Sequence, residues 1–116
     1  MKKITALVMA VAMILTMVVC SVSANDATVP SGVEDGVLTI AMECAYAPYN
    51  WTQSDDSNGA VPISNVPGSY ANGYDVMIGK KIAEANGWEL EVIQSDWDSL
   101  VPGIQTGKFD AVIAGQ

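Results

Sequence analysis

The chain has 116 residues, half of them hydrophobic, with thirteen acids, five lysines, no arginine and no histidine. Its formal charge of −8 argues against nucleic acid or an anionic membrane surface as a partner. With no histidine and only two cysteines, neither a zinc site nor a Ser-His-Asp triad can be built, and no metal or cofactor is expected.

Lys2 and Lys3 precede an apolar run from Ile4 to Val19, broken only by two threonines. That is the basic n-region and h-region of an export signal, and Val22-Ser23-Ala24 supplies small residues for cleavage. The sixteen-residue run is shorter than the ~20 residues a membrane-spanning helix needs. Residues 1–24 are therefore expected to be a signal peptide, and the mature protein to be periplasmic or extracellular. Met17-Val18-Val19-Cys20 also resembles a bacterial lipobox, in which Cys20 would be acylated and anchor the protein at the cell surface. Val19 stands where Gly, Ala or Ser is usual, so cleavage after Ala24 is favoured. The remaining 92 residues carry three lysines against thirteen acids, a formal charge of −10. Cys44 is their single thiol, which rules out an internal disulfide. Residues 25–36 are polar, contain Pro30 and Gly32, and read as a tether.

Val37–Met42 is a nearly all-apolar run, the pattern of a central strand covered on both faces. The 22 residues from Trp51 to Asn72 are rich in Ser, Asn, Asp, Gly and Pro, and predict a long loop with a turn at Asn58-Gly59. A helix follows over 76–86, with Asp75 as its N-cap, Ile78, Ile82 and Ala85 as its inward stripe, and Gly87 as its stop. A strand is expected over 89–94. A second helix covers 98–106, capped by Asp96 or Asp98, with Leu100, Val101 and Ile104 inward and Gly107 at its end. The last strand spans 110–114. Alternation of strand and helix predicts an α/β domain with a parallel sheet flanked by helices.

In an open parallel sheet, ligands bind beyond the carboxyl ends of the strands. Those ends deliver Glu43 and Tyr46, then Asp96 and Trp97, then Ala114 and Gly115, and Trp51 at the head of the long loop is a further candidate. A carboxylate, aromatic faces and open backbone suit a small ligand with an ammonium group and some apolar body. Each residue also has a plainer reading: Glu43 as a solvated acid, Tyr46 and Tyr49 as closures around Pro48, Asp96 as a cap, Trp97 as a packing residue. Convergence of several strand ends favours the functional reading. Asp55 and Asp56 lack the spacing of a calcium loop and are expected to be solvated.

Three blocks resemble the extracellular solute-binding proteins, family 3, of amino-acid ABC transporters. They are Ala45-Tyr46-Ala47-Pro48-Tyr49, Gly73-Tyr74-Asp75-Val76-Met77-Ile78, and Asp96-Trp97-Asp98-Ser99-Leu100-Val101-Pro102 with Gly107-Lys108-Phe109-Asp110-Ala111. Met77 departs from the acid usual at its place, and the stretch 51–72 is longer than the family's usual hairpin. The resemblance implies a periplasmic-binding-protein-like type II fold, with 37–116 as the N-terminal part of the first lobe. It further implies a continuation carrying a carboxylate-clamping arginine and a second lobe. The implied function is binding of a polar amino acid by a monomer and its delivery to a membrane permease. Tyr46 and Trp97 match the family's stacking positions, Glu43 an acid near the ligand, and Ala114 and Gly115 the backbone that bonds the α-ammonium and α-carboxylate. The same fold also serves periplasmic cyclohexadienyl (arogenate) dehydratases and ligand-sensing modules, which are the alternative readings.

Overall fold

The computed structural model describes residues 33–115. The residues expected to form a signal peptide (1–24), Cys20 of the lipobox-like stretch among them, and 25–32 of the expected tether lie outside the described residues. Val37–Met42 (β1) is the central strand of a three-stranded sheet. It pairs in parallel with Glu89–Gln94 (β6) along its whole length and with Ala111–Val112 (β7) on its other edge, so the spatial order is β6-β1-β7. Leu38, Ile40, Ala41 and Met42 are buried, as the apolar run requires of a strand covered on both faces. The chain reaches this sheet again and again from the same end, so all three strands finish at one edge.

The last strand is shorter than expected. Only Ala111 and Val112 meet β1 as ladder partners, although the amides of Asp110 and Ile113 still donate to Thr39 and Ala41. The Asp110 carboxylate accepts from the Thr39 amide at 2.9 Å, which replaces one rung at the strand's entry. Beyond Ala114 the chain turns through Gly115, whose φ of +68° suits glycine and ends the extended run.

The stretch predicted as a loop is a second sheet. Ala45–Tyr46 (β2), Asn50–Gln53 (β3), Val61–Pro62 (β4) and Tyr70–Asn72 (β5) form four antiparallel strands in the order β2-β3-β5-β4. Asn58 and Gly59 do form a turn, both with positive φ, and the Ala60 amide closes it on the Ser57 carbonyl at 3.2 Å. It joins β3 to β4, however, and those strands flank β5 instead of pairing with one another. Side-chain hydrogen bonds brace the turn between β3 and β4. The Gln53 amide donates to Asp55 and Ser57, and the Asp55 carboxylate accepts from the Ser57 amide and hydroxyl. Those donors hold the Asp55 carboxyl below the usual carboxylate range. Asp55 thus organises the turn in addition to being solvated.

Tyr74–Asn86 (α1) and Trp97–Gln105 (α2) bury different faces from those predicted. In α1 the inward residues are Val76, Gly79 and Ala83, while Ile82 and Ala85 are exposed and Ile78 is only half-buried. A Cβ at Gly79 would stand 2.6 Å from Ile40 Cδ1. The small residues therefore let the helix axis approach the sheet closely, and the larger isoleucines are left on its flank. In α2, Leu100 and Gly103 face inward, with Phe109 filling the space where Gly103 lacks a side chain. Val101 is 62% exposed and Ile104 is exposed as well. The left-handed stops at Gly87 and Gly107 form as expected, with φ of +70° and +72°. No helix among the described residues is long and apolar enough to cross a membrane.

Candidate functional site

The parallel register sets the site. Met42 aligns with Gln94, and Ala41 with Val112, so the residues that follow these strands leave the sheet at one level. Two open grooves lie among the lining residues of this edge. One, of about 470 Å³, includes Glu43, Asn65, Val66, Gln94, Asp96 and Lys108 in its lining. The other, of about 460 Å³, is bounded by Tyr49, Tyr74 and Asp75 on one side and by Val112 to Gly115 on the other.

The structure thus brings Glu43 and Asp96 together in the first groove, and Ala114 and Gly115 into the second. Asp96 occupies the N-cap position of α2, but its carboxylate makes no cap bond and is available to the groove. Tyr46 and Tyr49 form a tilted pair with ring centroids 5.1 Å apart. A Cβ on Gly115 would lie 3.0 Å from both rings, so the bare backbone of Gly115 sits under the tyrosine pair. Trp97 opens α2 and is 49% exposed, beside Asp96 but in the lining of neither groove. Trp51 is half-buried in β3, its indole donating to the Gln53 side chain at 3.3 Å, and it too lines neither groove.

Asp75 is not the cap of α1. Gly73 holds that position, and Asp75 lies one residue inside the helix, 3% exposed. Its carboxylate accepts from Asn50 Nδ2 at 2.8 Å, and its amide donates to the Tyr49 carbonyl at 2.8 Å. The Tyr74 amide donates to the Pro48 carbonyl at 3.2 Å. Free amides at the helix start thereby satisfy the carbonyls of the tyrosine loop, which explains why no side-chain cap is needed. Asn50 Oδ1 is fully buried without a partner, a cost of ~1–3 kcal/mol for a desolvated acceptor. Nothing in the spacing of Asn50 and Asp75, 25 residues apart, announces this pair.

Cys44 is buried between the two sheets' strands, and burial pushes its thiol up to about 11. Among the described residues no cluster of His, Cys, Asp or Glu could hold a metal ion. Glu43 and Asp96 are the carboxylates on the first groove, and Asp75 is the one on the second.

Comparison with known proteins places this edge in context. The probable histidine-binding protein of Neisseria gonorrhoeae is 30% identical over 101 residues, covering 87% of this chain and 33% of that protein. The cyclohexadienyl dehydratase of Pseudomonas aeruginosa is 27% identical over 109 residues, covering 94% of this chain and 36% of that enzyme. The chain therefore spans about a third of the length of these curated relatives. Among solved structures, an arginine-bound amino-acid ABC transporter substrate-binding protein of Streptococcus pneumoniae superposes with a TM-score of 0.58 at 27% identity, over 71% of this chain and 30% of that one. The arginine-bound domain 1 of the T. maritima protein TmArgBP matches with a TM-score of 0.56 at 28% identity, over 72% of this chain and 56% of that domain. The fold is that of these type II periplasmic binding proteins, with its parallel sheet and flanking helices. Residues 38–116 match the bacterial extracellular solute-binding proteins, family 3. The chain belongs to the bacterial extracellular solute-binding proteins, family 3.

Proposed function

We propose that this chain forms the receiving edge of an exported, monomeric protein that binds an amino acid and delivers it to an ABC transporter permease, without catalysis. The observation that carries the reading is the bare Gly115 backbone held beneath the Tyr46–Tyr49 pair, at the edge where three parallel strands end. Backbone amides and carbonyls at Ala114 and Gly115 would bond the ligand's α-ammonium and α-carboxylate. Tyr46 and Trp97 would flank its body, Glu43 and Asp96 would face its side chain, and Trp51 would stay peripheral. In domain terms the reading assigns 1–24 to export, 25–36 to a tether and 37–116 to part of the first lobe. Similarity to proteins named for histidine binding and solved with arginine supports an amino acid as the ligand.

The test is calorimetric titration of the full-length product of the gene with a panel of free amino acids. Micromolar or tighter binding is expected for at least one. Trp97→Ala should weaken it by ~1–2 kcal/mol, the loss of one stacked aromatic, with little change in melting temperature. Unchanged affinity with a collapsed melting temperature would make Trp97 a packing residue. A second reading is favoured by the similarity to a dehydratase over nearly the whole chain. Turnover of a cyclohexadienyl substrate by the same preparation would establish that reading and displace the first.

A further inference from the structure

The Ile63–Ser69 connection between β4 and β5 is fastened to the parallel sheet. Ile63, almost fully buried, bridges Val92 in parallel, and the Ser64 amide donates to the Val92 carbonyl at 2.9 Å. One residue on, a side chain supplies the rung. Asn65 Nδ2 donates to the Gln94 carbonyl at 2.8 Å, and the Gln94 amide donates to Asn65 Oδ1 at 2.9 Å. An asparagine amide has the same donor and acceptor arrangement as a peptide, so Asn65 continues the ladder that Ile63 and Ser64 begin. Running parallel to β6, this segment arrives at the same edge as the strand ends. There Asn65 and Val66 form one wall of the groove that also holds Glu43, Gln94 and Asp96.

The groups left over decide what that groove accepts. The Asn65 amide is occupied at both ends by Gln94. The Gln94 side-chain nitrogen donates one hydrogen to the Glu43 carbonyl at 3.1 Å, which leaves its oxygen and its second N–H spare. Negative charge prevails in the lining: the Glu43 and Asp96 carboxylates stand against the single ammonium of Lys108, with the Gln94 amide and the Ser95 and Ser99 hydroxyls neutral beside them. Val66, half-buried, adds an apolar surface beside them. Such a wall suits an apolar stem that ends in hydrogen-bond donors, and it repels a carboxylate.

We propose that Asn65 and Val66 form a specificity wall, against which the ligand's side chain lies with a donor-bearing amide or cationic end. Val66 is the specificity-determining residue, and Asn65 is the positioning residue that holds the wall on β6. The inference rests on the amino-acid reading above and extends it to the substrate class.

The experiment measures affinities of the full-length protein for arginine, glutamine, alanine and glutamate, with the melting temperature of every variant. Arginine and glutamine should bind more tightly than glutamate. Val66→Lys should lower arginine affinity by roughly tenfold through like charge, while alanine, too short to reach the groove, changes by less than about twofold. Asn65→Ala should narrow the arginine-to-glutamate ratio with alanine affinity kept, and Asn65→Asp, which retains the acceptor for Gln94, should restore part of the ratio. Asp56→Ala, in the exposed turn of the same insertion, should change nothing. If Val66→Lys does not fold, the near-isosteric Val66→Thr replaces it and should still change the arginine-to-alanine ratio. Wild-type preference for glutamate, or equal effects on arginine and alanine, overturns the wall while leaving amino-acid binding intact. Absence of binding by the wild type to any amino acid overturns the amino-acid reading and the wall with it.

Discussion

Burial makes Cys44 an unreactive thiol. It is buried, and its backbone adopts a left-handed φ of +58°, fixed in part by the Thr52 hydroxyl donating to its carbonyl at 2.9 Å. Burial raises its pKa to about 11 from an ordinary value of 9.0. The folded state therefore prefers the neutral thiol. Its contribution to stability is complete below the unfolded value and is lost as pH rises towards the folded one. Iodoacetamide at pH 8 should modify Cys44 far more slowly in the native protein than in urea, since only the thiolate attacks. The urea midpoint should fall as pH is raised from 9.0 towards about 11. Native alkylation at the rate of a free thiol would show an accessible cysteine and contradict its buried placement.

At the scale of elements, the tyrosine loop and α1 meet in a close backbone contact at Gly73. Gly73 caps α1 with a φ of +124°, and a Cβ there would run into the Tyr49 carbonyl. The loop lies close because its carbonyls accept the first helix amides, so the glycine cannot be replaced without parting the two. Gly68 makes an internal control: it also has positive φ, +82°, but open space where a Cβ would go. Gly68→Ala should cost ~1 kcal/mol, the strain of a left-handed alanine alone. Gly73→Ala should add the collision to that strain and cost several kcal/mol, while disordering the Tyr46–Tyr49 pair in tyrosine fluorescence or aromatic NMR signals. Equal urea midpoints for the two variants would mean that the loop gives way freely. The buried Asn50–Asp75 pair makes that outcome unfavourable, because any shift would leave a desolvated carboxylate without its donor.

For the whole molecule, the organising fact is that β1 lies between its two parallel neighbours, so a single edge collects everything that leaves the strands. The antiparallel sheet is joined to β6 through Ile63, which is buried and bridges Val92, while its Asn58-Gly59 turn is held to α1 by Lys80, whose ammonium donates to the Gly59 carbonyl. Export is expected of residues 1–24, which lie outside the described part. Intact-mass measurement of the exported protein should show Asn25 as the mature N-terminus, following Val22 and Ala24 at the cleavage positions. A diacylglyceryl mass on Cys20 would instead identify a surface lipoprotein.

Local physics was enough for the strands Val37–Met42 and Glu89–Gln94, for both left-handed helix stops, and for the parallel arrangement, because apolar runs and backbone sterics act over a few residues. The three motif blocks were likewise enough to indicate the family. Periodicity alone could not say which face of α1 is buried. Ile78 and Ile82 make the more hydrophobic stripe, yet Gly79 and Ala83 face the sheet, since burial depends on how closely two surfaces fit and not on one surface's hydrophobicity. The second sheet was hidden for a related reason. Its strands are two to four residues long and rich in polar groups that become acceptable in a fold only when their partners arrive. Asn50 with Asp75, and Asn65 with Gln94, are separated by 25 and 29 residues. Hydrogen bonds at such separations leave no periodic trace in a sequence, so the tyrosine shelf and the groove wall were decided by the tertiary structure alone.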